Sequence, residues 1–170
     1  MFDIAAALEL IPAPSTVAEL AGKLVVGPWP RSDGERRELF TRLGFQSRHR
    51  DQLETGKSPH QLIELETNLD GQPHGSWSTY KEQLLGITFF LYGSQEPGAP
   101  IAQHGFTELR IELTKLFGKP SHPWDDEESP PCIWECNGRT ITTHLFNRRD
   151  SVVMFSVEDS ALAADASATA

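Results

Sequence analysis

The stretch from Cys132 to Val157, "CIWECNGRTITTHLFNRRDSVVMFSV", decides the fold. Three β-rich runs, "CIWEC", "RTITTHLF" and "VVMFSV", are separated by Asn137-Gly138 and by "NRRDS". Asn-Gly readily takes the positive φ angles of a tight two-residue hairpin, so the stretch predicts three antiparallel strands in a meander. Two cysteines sit four residues apart on the first run. Along a strand that spacing is ~13 Å at ~3.3 Å per residue, too far for a disulfide or for shared tetrahedral zinc. Cys132 and Cys136 therefore read as small packed thiols flanking Trp134 on one strand face.

Immediately upstream, "HPWDDEESPP" sets Asp125, Asp126, Glu127 and Glu128 beside Trp124. Acid/base or metal chemistry would need these carboxylates to converge from a rigid scaffold, whereas adjacent side chains in a proline-flanked loop diverge. A solvated loop is the plain reading. The functional reading is an acidic lip with an aromatic anchor, Trp124, that docks on a basic surface. Arg148 and Arg149 in "NRRDS" read either as a second rim contact or as a solvated turn.

Before the acid run lies the clearest helix, "FTELRIELTKLFG". Phe106, Leu109, Leu113, Leu116 and Phe117 share a stripe, Glu108, Glu112, Lys115 and Lys119 face away, and Gly118 with Pro120 stop the helix. The segment "GSQEPGAPIAQHG" before it reads as a loop. Earlier still, the period falls towards two from Pro59. "HQLIELET" alternates Ile63 and Leu65 with Glu64 and Glu66, "WSTYKEQ" follows the loop "LDGQPHGS", and "LLGITFFLY" is apolar on both faces. The last is expected as a central strand covered on both sides, with Gly86 at a bulge or at a close approach by a helix.

Two helices are expected near the N-terminus. Thr16 and Glu19 form a capping box ahead of Val17, Leu20 and Leu24, and Ser32 with Glu35 form another ahead of Leu39, Phe40 and Leu43, closed by Gly44. The first ten residues are expected as a short helix ended before Pro12. The closing "EDSALAADASATA" has few large apolar groups, so residues 158–170 are expected as a flexible tail beyond a single domain, residues 1–157. The prediction is an α+β fold in the order ααβββαβββ, an antiparallel sheet of about six strands with helices packed on it. Whether the two three-strand runs share one sheet is left open.

At 170 residues the chain suits one core. Its 24 acidic against 15 basic side chains, net −9, disfavour nucleic acid phosphates and anionic lipid and favour a basic partner. The longest apolar run is too short to cross a bilayer, and the acidic N-terminal stretch does not read as a secretory signal, so a cytoplasmic location is expected. Six scattered histidines make no His-x-x-x-His, and G-x-S-x-G, P-loop and G-x-G-x-x-G patterns are missing. No catalytic residue, metal or cofactor is expected, although a site assembled only by the fold stays open. Trp29, Trp77, Tyr80, Tyr92 and Trp124, near loops and strand ends, read either as ordinary packing or as interface anchors.

The run "LTKLFGKP", "PWDDEESPPCIWECNGRTITTHLF" and "NRRDSVVMFSV" resembles small acidic immunity-type proteins that accompany secreted toxins in actinobacteria. In them a helix ending Leu-Phe-Gly-x-Pro precedes a tryptophan strand, a hairpin turn and two more strands. The resemblance implies a stoichiometric inhibitor that covers a toxin's active site. The element order is also similar to acidic class I type III secretion chaperones, from which the chain departs by its extra N-terminal helix, its sixth strand and its lack of a final amphipathic helix. It implies a dimeric chaperone or adaptor. An enzyme is the third reading.

Overall fold

The computed structural model describes residues 8–48, 59–124 and 129–168. Two helices come first. In α1, Pro14–Val25, the buried stripe is Val17, Leu20, Ala21 and Leu24. Pro14 opens it at the first turn, where a missing N–H costs nothing, and Ala13 supplies the cap position without a side-chain bond. The Thr16–Glu19 box is thus not used, because the cap falls at Ala13, three residues earlier. Half of the expected box forms at α2, Asp33–Leu43: the Glu35 N–H donates to Ser32 Oγ at 3.2 Å, while the Glu35 carboxylate accepts from the Arg31 N–H, one residue before the cap. Gly44 ends it at φ +74°, with the Phe45 N–H closing on the Phe40 carbonyl at 2.8 Å. Residues 8–10 are not helical, and the remainder of the helix expected at the N-terminus lies outside the described residues.

Among the described residues the strands make one sheet. A two-residue strand not foreseen in the sequence, β1 (Gln46–Ser47), pairs with β2 (His60–Glu66), followed by β3 (His74–Tyr80) and β4 (Gln83–Ser94). Then α3 (Pro100–Phe117) crosses over to β5 (Cys132–Cys136), β6 (Arg139–Phe146) and β7 (Ser151–Asp159). The order is β1-β2-β3-β4-β7-β6-β5, antiparallel throughout, so β4 is central and joins the two meanders through β7. Asn137 and Gly138 take φ +51° and +76° at the β5–β6 hairpin as expected. The β3–β4 turn falls on Lys81 and Glu82, both at positive φ, inside a run that reads as continuous strand.

One sheet face carries the core. Ile87, Phe89, Leu91, Val153, Phe155, Val157, Ile141, Trp134 and Trp77 pack there with α1 and α3. Phe40 meets Trp77 edge-on at 5.5 Å, and the buried Arg36 guanidinium sits over both rings while bonding Asp33 at 2.9 Å. Trp134 Nε1 donates to the Gly118 carbonyl at 2.7 Å, tying the edge hairpin to the end of α3. That helix is longer than expected, since Pro100 starts it, and Leu116 faces solvent rather than the core.

The opposite face corrects two expectations. Residues 160–168, expected as tail, form a helix, α4 (Ser160–Ala168), whose start is capped by Asp159 Oδ2 accepting from the Leu162 N–H at 3.1 Å. Ala166, Leu162 and Ala163 pack with Tyr80 and Leu85. Among the described residues, central β4 is therefore covered at that end only; farther along, Phe90 is 37% exposed. A bulge at Ser78/Thr79 accompanies Gly86, and the close neighbour there is strand β7: a Cβ on Gly86 would stand 2.7 Å from Glu158 Cγ.

Candidate functional site: the uncovered end of the sheet

Alternation along each strand sets what this open face presents. On β6, Arg139, Ile141, Thr143 and Leu145 are buried, which turns Thr140, Thr142, His144 and Phe146 outward. On β7, Val153, Phe155 and Val157 point to the core and Met154 points away. Register then assembles a row. His74 lies opposite Phe90, Phe90 opposite Met154, and Met154 opposite His144. Three strand steps at ~4.8 Å make this row ~14 Å wide.

Trp124 extends it. Its ring meets His144 edge-on at 6.2 Å, and His144 contacts Phe146 at 4.6 Å. Across the sheet, His74 stacks on Phe90 at 6.1 Å. Phe146, on strand β6, is 41% exposed and Trp124, in the loop before β5, 44%, so large apolar surface is held in water. Beside the row runs a second one of hydroxyls, Ser76, Thr88, Ser156 and Thr142, which are cross-strand partners in that order. The aromatic row and α4 stand on either side of it.

Carboxylates edge this face. Glu64 and Glu66 on β2 hold Arg48 at 3.4 and 2.6 Å, an arrangement that raises the Arg48 pKa chiefly through the Glu66 hydrogen bond. Glu158 lies across Gly86, and burial raises its pKa above the usual glutamate value. The site is thus apolar and aromatic at its centre, with Glu64, Glu66 and Glu158 along part of its edge and Arg148 and Arg149 beside Phe146.

Of the residues singled out in the sequence, Trp124 joins this site, while Asp125, Asp126, Glu127 and Glu128 lie outside the described residues. Their described neighbours, Trp124 and Ser129, flank the outward end of β6. Trp29, Trp77, Tyr80 and Tyr92 are all buried: Trp29 Nε1 donates to the Leu84 carbonyl at 2.8 Å and the Tyr92 hydroxyl to the Pro12 carbonyl at 2.6 Å. They pack and do not present a surface. His74, Phe90, Met154 and Phe146 were missed, and one signal pointed to Phe146: it shares the polar phase of "RTITTHLF" with Thr140, Thr142 and His144.

Cys132 is buried and its pKa is raised by burial, partly offset by Arg110, which suits a packing thiol and not a nucleophile. Among the described residues no three His, Cys, Asp or Glu side chains gather to hold a metal ion, and no helix is long and apolar enough to cross a membrane. Comparison with protein-family models, curated proteins and solved structures finds no match.

Proposed function

We propose that this chain is a protein-binding protein of the immunity or inhibitor class, acting in the cytoplasm, which covers a basic partner such as a toxin. Its contact surface is the uncovered end of the sheet, with Trp124 as anchor and Asp125, Asp126, Glu127 and Glu128 as the acidic lip. The observation that carries this reading is the aromatic cluster of exposed Phe90 and Phe146 and half-buried His144 on paired strands, joined by exposed Trp124, which packs on His144 from the loop before β5. Contiguous exposed aromatic groups mark interaction surfaces, and groups already fixed by a sheet lose little entropy on binding. The net charge of −9 speeds encounter with a cationic surface.

The test uses the full chain as bait in lysate and secreted fraction of its source cell, with native mass spectrometry of what it retains. The captured partner is then titrated against two variants, Trp124→Ala and the quadruple charge reversal of residues 125–128 to lysine. A basic partner in a stoichiometric complex, bound at least tenfold more weakly by each variant and more weakly in salt, is expected. Equal retention by both variants overturns the reading.

A further inference from the structure

We propose a second binding surface, a cationic groove along the outer side of α3 that takes a short acidic peptide segment carrying large apolar side chains. It goes beyond the reading above and rests on cations which that reading does not use; the two surfaces meet at His144 and Phe146. Two depressions meet at Phe106 and Thr107, which line both. One runs along α3 past Arg110, Ile111, Lys115 and Lys119 to Pro120. The other runs to the β6–β7 hairpin, past Leu145 and Phe146, to Arg148 and Arg149.

The charge balance of this groove opposes that of the chain. Its described lining holds five cations, Arg110, Lys115, Lys119, Arg148 and Arg149, against one carboxylate, Asp150. The whole chain has 15 basic and 24 acidic side chains, so a third of its cations line one groove. Lys115 is held by Glu112 at 2.9 Å; among the described residues the other four have no ion-pair partner. Between the cations the floor is apolar, from Phe106 and Pro120, and Ile111 is 43% exposed.

A nucleic acid or a plain polyanion would use the charges and leave the apolar floor wet. Carboxylates alternating with aliphatic side chains use both, the first on the rim and the second on the floor. From Thr107 to its end at Phe117 the helix advances ~15 Å at ~1.5 Å per residue, and Lys119 lies two residues beyond. An extended peptide of about five or six residues, at ~3.3 Å each, matches that length.

Fluorescence anisotropy with a short labelled peptide of alternating glutamate and leucine tests this, with a glutamate-serine peptide of equal charge as control. Saturable binding of the first is expected, at least tenfold tighter than the control. Arg110→Glu with Lys119→Glu should weaken it at least tenfold, and so should Arg148→Glu with Arg149→Glu, which lie in an exposed turn where folding is not at stake. Trp124→Ala should leave it unchanged, which keeps this surface separable from the one proposed above. Equal affinity for the two peptides, loss of binding in Trp124→Ala, indifference to both charge reversals, or self-association of the chain abolished by those reversals would each overturn it.

Discussion

The ring of Tyr92 lies flat against Gly105, so that a Cβ on Gly105 would come within 2.7 Å of Tyr92 Cγ. Gly105 is buried in the second turn of α3, and Tyr92 ends the core run of β4, so this contact fixes how closely the helix approaches the sheet. In water the Gly105→Ala exchange would favour a helix by ~1 kcal/mol. Here the added methyl meets an aromatic ring, and overpacking of this kind costs ~1–3 kcal/mol. Gly105→Ala is therefore expected to lower the unfolding free energy in urea, whereas in a Tyr92→Ala background the same exchange should raise it. An additive pair would remove the steric argument.

The exposed row should behave oppositely to the core. Trp124→Ala and Phe146→Ser remove surface groups and are expected to change stability by about 0.5 kcal/mol or less. Trp77→Ala, which empties a site beneath Phe40 and Arg36, should cost ~3–5 kcal/mol. Urea denaturation of the three variants checks this. A large loss at Trp124 or Phe146 would mean that they are core groups and would withdraw the row as a docking surface.

Much of the scaffold is legible locally and the site is not. Asn137-Gly138, the Ser32 cap and Gly44 each work within one turn of chain, so residue chemistry alone foretells them. The Lys81-Glu82 turn has no such chemistry, since neither residue favours positive φ, and cross-strand pairing on both sides imposes it. Helix α4 also escapes notice. "SALAADASA" has no apolar stripe of large side chains and is held by the Asp159 cap and by alanines small enough to lie close on Tyr80 and Leu85. His74, Phe90, Met154 and His144 are scattered over 81 positions, and only strand order and register bring them into one row.

The two cysteines should differ in reactivity. Cys132 is buried, and burial raises its thiol pKa, while Cys136 is partly accessible; both are free. Thiol titration of the native protein with a disulfide reagent is expected to show one fast group, lost in Cys136→Ser, and a second group released only on unfolding. Fast reaction of Cys132 in the native state would contradict its place beneath α3.

Glu158 makes stability depend on pH in the direction opposite to a salt-bridged carboxylate. Burial over Gly86 raises its folded pKa above the unfolded value, so the folded state binds the proton more tightly. Its relative stabilisation is fully present below the unfolded pKa, about 4.3. It is lost as pH rises from there through the raised folded value. Glu158→Gln keeps the shape and removes the titration, so the variant should gain stability relative to the native chain as pH increases from 4 to 8. Urea midpoints for both proteins across that range measure the difference, and every other titrating group cancels in it. A difference that is flat, or that falls with pH, would place the Glu158 carboxylate in water and uncover the strip of sheet between α4 and the aromatic row.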